Sequence, residues 1–315
     1  MNSFADDCPS ISVLVPVYNR EKYIVECVES ILSQDFMHFE VVIVDNKSTD
    51  KTFELCQEIA SRDSRVRVFQ NGSNIGPVLN WMQCVREARG KYSKIVFSDD
   101  LLLGGCLEKM YHACLADNIG FVFSAAKIGV SADSGKVFYQ NESDAIITFD
   151  DYIVCLLNHF APLSPGAIMI RTADLKESLL LNIPTSTPRD FLKNGAGPDV
   201  LISLITASKY TYVACISEPL VFFRAHEDSF SISNTNNEVT LGYVSAISYF
   251  LKYNASKYWL RYVAISWIQQ VITCRAWVWP GKYLIQNEGN GKFFEVLLLL
   301  KASIALVFSK LSKFR

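Results

Sequence analysis

Two adjacent carboxylates, Asp99 and Asp100, come shortly after the apolar run from Lys94 to Phe97. Neighbouring like charges destabilise each other unless a cation or hydrogen-bond donors compensate for them. A divalent metal ion would compensate for both charges, and it could also neutralise a diphosphate leaving group. The chain contains neither G-x-x-x-x-G-K-S/T nor G-x-G-x-x-G, so a phosphate ligand would be held mainly through metal. The alternative is that the two Asp residues form a turn or cap a helix.

The elements that must position this pair are alternating strand and helix patterns over about the first 125 residues. Between the strand-like runs, apolar residues recur at helical spacing, and one such helix is predicted from Pro77 to Ala88. Continuous apolar strands indicate burial on both faces, and repeated βαβ units predict a parallel sheet with right-handed crossovers. The strand-like runs are Ile11–Val17, Val41–Val44, Val66–Phe69, Lys94–Phe97 and Phe121–Phe123.

Polar side chains follow several of these predicted strands at their carboxyl ends. Asn19 follows the first strand, Asp45 the second, and Asp99 and Asp100 the fourth. In open parallel sheets, ligands bind beyond the carboxyl ends of the strands. The sequence therefore predicts a binding site at this edge of the sheet.

The composition excludes some classes of protein. The chain has 315 residues, half of them hydrophobic, and a formal net charge of −2. This is enough for a sizeable core, and it disfavours nucleic acid as a partner. The nine cysteines form no C-x-x-C pair, which favours reduced thiols and a cytoplasmic setting. No secretory signal is apparent, and charged residues interrupt the apolar run 293–308, so no transmembrane span is predicted.

Four motifs occur in the order and at the spacing typical of one enzyme family. They are ISVLVPVYN at 11–19, VIVDNKSTD at 42–50, NIG at 74–76 and SDD at 98–100. Together they resemble the family 2 glycosyltransferases of the GT-A fold, well over about residues 10–125 and more loosely up to about 236. The resemblance implies an inverting transferase that uses a nucleotide-activated sugar with Mn²⁺ or Mg²⁺. It is strongest to bacterial transferases that build O-antigen and other surface polysaccharides.

The resemblance also assigns roles by position. Asp45 would accept a hydrogen bond from the base, Asp99 would hold the ribose or the metal side, and Asp100 would ligate the metal. Two positions depart from the family pattern: Ser98 replaces an Asp, and Leu79 stands where an Arg often precedes the Asn80 position. The residues predicted to bind the nucleotide-sugar are Pro16, Tyr18, Asn19, Asp45, Asn80, Asp99 and Arg224.

Asp199 is the predicted catalytic base. It lies in Gly197-Pro198-Asp199 at the start of a predicted helix, where similar transferases place a base Asp. An inverting transfer needs one carboxylate to remove the proton of the acceptor hydroxyl. The alternative is a helix cap, which Asp would also satisfy, and Asp190 is a rival carboxylate nearby.

Arg224 and His226 follow a predicted strand, Pro219–Phe223, and this R-x-H ending resembles a late motif of the family. His226 would complete the metal shell or bind the diphosphate, since imidazole is a reasonable Mn²⁺ ligand. Arg224 would pair with phosphate oxygens. The alternative for His226 is an ordinary structural hydrogen bond.

The C-terminal part of the chain is predicted to be helical and aromatic after about residue 237. We therefore expect a GT-A catalytic domain over 1–236 and a helical region over 237–315. The segment 293–315 has a broad apolar face and ends in several basic residues, which suits a membrane interface with anionic lipids. Packing on the domain or on another subunit is the alternative.

The predicted protein is thus an α/β enzyme with a GT-A, Rossmann-like, mostly parallel sheet flanked by helices and a C-terminal helical extension. It would move a sugar from a UDP-sugar or another nucleotide-diphosphate donor to a glycan acceptor that is lipid-linked, at the inner face of the cell membrane. The missing carboxylate at Ser98 leaves a non-catalytic scaffold that binds a glycan or a partner as the alternative. A nucleotidyltransferase is disfavoured, because no Gly-rich basic loop follows the first strand.

Overall fold

The computed structural model describes residues 8–186, 189–193, 195–226, 238–274, 279–289, 291–292 and 295–303. The strands, in chain order, are β1 Ile11–Val17, β2 Phe39–Asp45, β3 Val66–Gln70, β4 Tyr92–Ile95, β5 Leu101–Leu102, β6 Ile119–Gly129, β7 Lys136–Phe138, β8 Ala145–Thr148, β9 Ile168–Arg171 and β10 Tyr212–Arg224. The helices are α1 Ile24–Leu32, α2 Thr52–Arg62, α3 Pro77–Glu87, α4 Cys106–Ala113, α5 Phe149–Leu157, α6 Thr172–Ser178, α7 Pro198–Lys209, α8 Glu238–Asn254, α9 Ser256–Cys274 and α10 Pro280–Gln286. Residues 295–303 are also helical.

The strands form one mixed sheet with the order β3-β2-β1-β4-β9-β6-β10-β5. The strands β3, β2, β1 and β4 pair in parallel, as do β6 and β10. The short strands β5, β8 and β9 pair antiparallel with their neighbours. The α/β class with a mostly parallel sheet and C-terminal helices is confirmed.

Both faces of the sheet are covered, as the continuous apolar strands predict. In β1, Leu14 points into a core that includes α3, α5 and α7, whereas Val13 and Val15 point into a second core with α1, α2 and α4. All seven residues of β1 are buried. A strand buried on both faces fixes its register firmly, because a shift of one residue would exchange the two faces.

Apart from β1, the strands predicted from the sequence depart from their predicted bounds, and for β4 and β10 the structure shows a local reason. The strand β4 ends at Ile95, and the chain then turns, with the Asp100 amide donating to the Phe97 carbonyl at 2.9 Å. The Phe97 ring therefore leaves the strand and packs on Trp81, with 5.6 Å between the ring centroids. The strand β10 begins at Tyr212, and the register shifts around Pro219, which has no amide hydrogen to donate to the ladder.

The C-terminal helices belong to the same core as the sheet. Phe250 of α8, Trp259 of α9, Leu284 of α10 and Leu299 are all buried in the cluster that includes α3 and α7. The boundary expected near residue 236 falls in 227–237, outside the described residues, and the division at 236 stays a prediction. None of the helices in the described part of the chain has the length and apolar content needed to cross a bilayer.

Candidate active site

Asp100 lies at the sheet edge between β4 and β5. Its Oδ1 accepts a 2.9 Å hydrogen bond from the amide of Arg224, because β5 and the end of β10 pair antiparallel there. The side chain is largely buried, and burial together with the neighbouring Asp99 raises its pKa well above the usual value. This buried carboxyl lies where the resemblance puts a metal.

Asp99 joins the same cluster through its side chain. Its Oδ2 lies 2.9 Å from Nε2 of His226 and 3.6 Å from Nε of Arg20. The main-chain carbonyl of Asp99 also accepts a 3.0 Å bond from Nε of Arg224. The structure thus brings together four residues predicted from the sequence: Asp99, Asp100, Arg224 and His226.

Tyr23, just before α1, and Glu26, within α1, contact Arg224 and His226. Neither residue was predicted from the sequence to belong to the site. The Tyr23 ring packs on the His226 ring at 4.7 Å between centroids, and the Arg224 guanidinium lies 5.4 Å from the Tyr23 centroid. Glu26 binds Nη2 of Arg224 at 2.6 Å. The only sequence signal for them is their position at the start of the helix that follows Tyr18-Asn19.

The donors of this cluster fit a hard divalent cation chemically, since they are two carboxylates and one imidazole. Nδ1 of His226 is buried and has no hydrogen-bond partner in the described structure. Within the described residues, however, no three His, Cys, Asp or Glu side chains are already arranged around one point that could hold an ion.

The loops after β1 and β2 lie side by side. The Asn19 amide donates to Oγ of Ser48 at 2.9 Å, and the Thr49 amide donates to Oδ1 of Asn19 at 2.8 Å. These bonds hold Asn19 at φ 50°, a region that Asn tolerates better than most residues. Tyr18 is 39% exposed next to them, so it is free to contact a ligand. Pro16 is buried within β1, opposite Val44 of β2.

Asp45 and Asn80 are more buried than we would expect for side chains that contact a nucleotide base. Asp45 is fully buried, and its carboxylate accepts bonds from the Ser48 amide at 3.0 Å, from the Ser48 hydroxyl and from Nε2 of Gln70 at 2.9 Å. Asn80 donates to the Val44 carbonyl at 3.0 Å and accepts from Asn71 at 2.8 Å. Both side chains shape the loops in this structure, and their contact with a nucleotide stays a prediction.

Asp199 is held in a tight network at the start of α7. Its Oδ1 accepts bonds from the amides of Gly197 at 2.8 Å and Val200 at 2.7 Å. Its Oδ2 accepts a 2.5 Å bond from the hydroxyl of Tyr243 in α8. Burial raises the pKa of Asp199 to about 7, although these bonds oppose the shift. The rival carboxylate, Asp190, is exposed and accepts a 3.1 Å bond from the Leu192 amide of its own loop.

Packing links the loop before Asp199 to the Asp99–Asp100 turn. Trp81 of α3 contacts Phe97, which precedes that turn, and it also lies against Gly195, where an added Cβ would be 2.3 Å from the Trp81 ring. Gly195 has φ +74°, which suits glycine. The segments that carry the two predicted sites thus both pack on one aromatic side chain.

The sequence model of Glycosyl transferase family 2 matches residues 12–178. The chain is 41% identical over 134 residues to glycosyltransferase GlyG of Streptococcus pneumoniae, which is 42% of this chain and 44% of that protein. It is 32% identical over 147 residues to the putative teichuronic acid biosynthesis glycosyltransferase TuaG of Bacillus subtilis, 45% of this chain and 56% of TuaG. The matched segments thus span about half the length of these relatives.

The solved structures extend the likeness to most of the chain. Residues 1–349 of TarS from S. aureus share 20% sequence identity with it at a TM-score of 0.58, covering 95% of this chain and 92% of the TarS chain. The TarS complex with UDP-GlcNAc matches at 18% identity and a TM-score of 0.56, with the same coverage of both chains. At this level of identity the likeness concerns the fold, and it confirms the GT-A class.

Proposed function

Because this chain belongs to glycosyl transferase family 2, we propose that it transfers one sugar from a nucleotide-diphosphate donor to an acceptor glycan. The observation that carries the proposal is the cluster of Asp99, Asp100, Arg224 and His226 at the sheet edge. A carboxylate pair beside an arginine and a histidine suits a diphosphate and a divalent cation. Because of the family membership, the reaction proposed for this cluster is the transfer of a sugar.

The donor is a UDP-sugar in this proposal, and the TarS complex with UDP-GlcNAc supports that choice. The nucleotide would lie along the loops after β1 and β2, where Tyr18 offers an exposed ring next to Asn19. Pro16, Asp45 and Asn80 would form the wall behind it. Arg224 would bind a phosphate oxygen, since a guanidinium binds phosphate through two parallel N–H groups.

Asp100 and His226 are the proposed metal ligands, with Asp99 beside them. A bound Mn²⁺ or Mg²⁺ would neutralise charge on the departing diphosphate. Asp100 is well suited to hold an ion, because its burial leaves the carboxylate with little solvent to stabilise its charge. Arg20 lies close enough to Asp99, at 3.6 Å, to share in balancing its charge.

Asp199 would act as the base that accepts the proton of the attacking acceptor hydroxyl. A pKa of about 7 makes its carboxylate a stronger base than an exposed Asp at neutral pH. A single base suffices for inversion, since the leaving diphosphate does not need a proton. The Tyr243 hydroxyl and the two amides would keep the carboxylate oriented while the proton moves.

The acceptor is proposed to be a lipid-linked glycan in the synthesis of a surface polysaccharide such as O-antigen. The name of TuaG, which refers to teichuronic acid biosynthesis, supports this class of product. We place the enzyme in the cytoplasm, peripheral at the inner face of the membrane, with residues 293–315 as the contact. Within that segment, the described part of 295–303 buries Leu299 in the protein core, so a membrane contact would fall mainly on its other face and on 304–315, outside the described residues.

The test is an assay of nucleotide release with a panel of UDP-, GDP- and TDP-sugars, with and without Mn²⁺ and with a lipid-linked oligosaccharide acceptor. We expect release from a UDP-sugar that requires both metal and acceptor. Metal-independent release would contradict the role of Asp100 and His226. Tight binding of the glycan without release from any donor would favour a non-catalytic scaffold instead.

A further inference from the structure

Arg224, the residue proposed to bind a phosphate oxygen of the donor, is held in place on several sides. Its Nε donates to the Asp99 carbonyl at 3.0 Å, and its amide donates to Oδ1 of Asp100 at 2.9 Å. The ring centroids of Tyr23 and Phe222 lie 5.4 and 5.6 Å from the guanidinium carbon. The side chain of Arg224 is only 14% exposed. The guanidinium therefore has little room to move when a ligand binds.

Glu26 approaches the same guanidinium from the first turn of α1. Its Oε2 accepts a 2.6 Å hydrogen bond from Nη2 of Arg224, and its side chain is 56% exposed. A partly exposed ion pair contributes little stability, so this one can open at small cost. The arginine is thus fixed, whereas its carboxylate partner lies at the surface, where rotation of the side chain would carry it into solvent.

A phosphate and Glu26 would compete for the same nitrogen atom. A guanidinium binds a phosphate best through two N–H groups that point in the same direction. The Nε of Arg224 already donates to Asp99, so a phosphate that leaves this bond intact must bind Nη1 and Nη2. Nη2 donates to Glu26 in this structure. The two anions would therefore meet at Nη2, where their like charges repel each other.

The charges around the site favour the departure of Glu26 when a diphosphate binds. Two guanidiniums, of Arg20 and Arg224, lie beside three carboxylates, of Glu26, Asp99 and Asp100. A diphosphate adds negative charge, and a divalent cation offsets part of it. Movement of the Glu26 carboxylate into solvent would lower the remaining repulsion without the loss of a proposed metal ligand.

We propose that Glu26 competes with the donor diphosphate: its carboxylate binds Arg224 between turnovers and moves into solvent when a phosphate oxygen binds there. This inference rests on the proposed function, because it takes Arg224 as a phosphate-binding residue. Glu26 would weaken binding of the donor and of the nucleoside diphosphate that remains after transfer. Its return to Arg224 would help to expel that product. The alternative, that Glu26 orients Arg224 for the phosphate, predicts the opposite effect of removing its charge.

Calorimetry with UDP in the presence of Mn²⁺ measures this competition. Glu26→Gln keeps the size of the side chain and removes its charge. The variant should bind UDP about twofold to fivefold more tightly than the wild type, as expected for the loss of a partly exposed ion pair. Weaker binding would show that Glu26 orients Arg224, and unchanged binding would show that the two anions do not compete. Either result would overturn the proposal.

Glu29→Gln is the matched control, because Glu29 is exposed and lies one turn further along α1. This variant loses the same charge from the same helix, and its affinity for UDP should not change. An equal gain in both variants would mean that Glu26 acts through the net charge of α1, which would also overturn the proposal.

A double variant tests whether Glu26 acts through Arg224. In Arg224→Gln the affinity for UDP should be lower, and the addition of Glu26→Gln should bring no further gain, because Glu26 then has no partner beside the phosphate. If Glu26→Gln brought its full gain in the Arg224→Gln background, competition at Arg224 would be excluded.

Pyrophosphate with Mg²⁺ separates this inference from the proposed function, because it carries two phosphates without a nucleotide or a sugar. Glu26→Gln should gain affinity for pyrophosphate as it does for UDP. If the protein transfers no sugar while both gains are found, the proposed function fails and the competition stands. If transfer is found without either gain, the competition fails and the proposed function stands. If neither probe binds the wild type or Glu26→Gln, the competition is excluded.

Discussion

The hydroxyl of Tyr243 donates a 2.5 Å hydrogen bond to Oδ2 of Asp199, and the two residues lie 44 positions apart in the chain. This bond connects α8, in the C-terminal part, with the proposed catalytic base at the start of α7. It favours the charged form of Asp199, and so it opposes the rise in pKa that burial causes. The C-terminal helices therefore set the properties of the proposed base.

Tyr243→Phe should raise the pKa of Asp199 further above about 7, because the hydrogen bond to the charged carboxylate is lost. The acid side of the pH profile of kcat should then move to higher pH, with little change in KM for the donor. Tyr253→Phe, on the exposed face of the same helix, is the control. An unchanged profile in Tyr243→Phe would show that Asp199 is not the titrating base.

Asp199→Asn should still bind the donor, while turnover falls by about 10² or more. It should also change the pH dependence of stability. Burial raises the pKa of the folded-state carboxyl from 3.8 to about 7, so the folded protein binds a proton that the unfolded chain releases between these values. The free energy of unfolding should therefore fall as pH rises from about 4 to 7.

In Asp199→Asn this part of the pH dependence should be missing. Urea unfolding of the variant and the wild type at pH 5 and pH 8 measures the difference. If the difference in unfolding free energy between the wild type and the variant is the same at pH 5 and pH 8, the Asp199 carboxyl titrates at its ordinary pKa.

Asp100→Asn should abolish metal-dependent binding of the donor and reduce transfer by at least about a hundredfold, since it removes a negative ligand and the charge that holds the ion. Equilibrium dialysis of Mn²⁺ with UDP checks the binding, and nucleotide release checks the transfer. Asp133→Asn, at an exposed turn, is the control. Full activity of a folded Asp100→Asn protein would exclude the metal assignment.

Local patterns predicted the sheet and the position of the carboxylate pair. The runs around Leu14 and Ile43 have apolar residues on both faces because both faces are covered, and such runs mark central parallel strands without any knowledge of the tertiary structure. Asp99 and Asp100 follow the fourth of the predicted strands, so their place at the edge follows from chain direction alone. The strand β4 ends at Ile95, two residues before its predicted end, because the turn at Phe97 competes with hydrogen bonding in the sheet.

Contacts between distant segments could not be predicted in this way. Tyr243 carries no local signal, since it is one of several tyrosines in an aromatic helix. Ser48 and Gln70 donate hydrogen bonds to the Asp45 carboxylate. These bonds depend on the conformation of the chain at the ends of β2 and β3. Sequence reasoning placed Asp45 at the correct edge of the sheet, but it could not see that its oxygens already have donors.

Gly195→Ala should destabilise the protein by about 1–3 kcal/mol, because a Cβ would clash with Trp81 and a positive φ strains a residue other than glycine. Gly72→Ala is the matched control, since an added Cβ there meets nothing within 4 Å. Chemical denaturation measures both. Equal stability of the two variants would mean that the loop before Asp199 does not pack on Trp81.

Leu299→Ala should destabilise the fold by about 2–5 kcal/mol, as is typical for loss of a fully buried leucine. Leu297 is 47% exposed two residues away, and Leu297→Ala should change stability by less than about 0.5 kcal/mol. Denaturation without lipid measures both. A negligible effect of Leu299→Ala would mean that residues 295–303 do not form part of the core.

The amide and hydroxyl of Ser186, just before the loop that leads to Asp199, donate hydrogen bonds to Glu288, which lies 102 positions away in the chain. During synthesis, the ribosome would release the sheet long before residue 288 leaves its exit tunnel. The half-made chain could then form its sheet while the segment around Ser186 lacks its anchor. Catalytic competence would arrive late in translation, when the C-terminal helices dock.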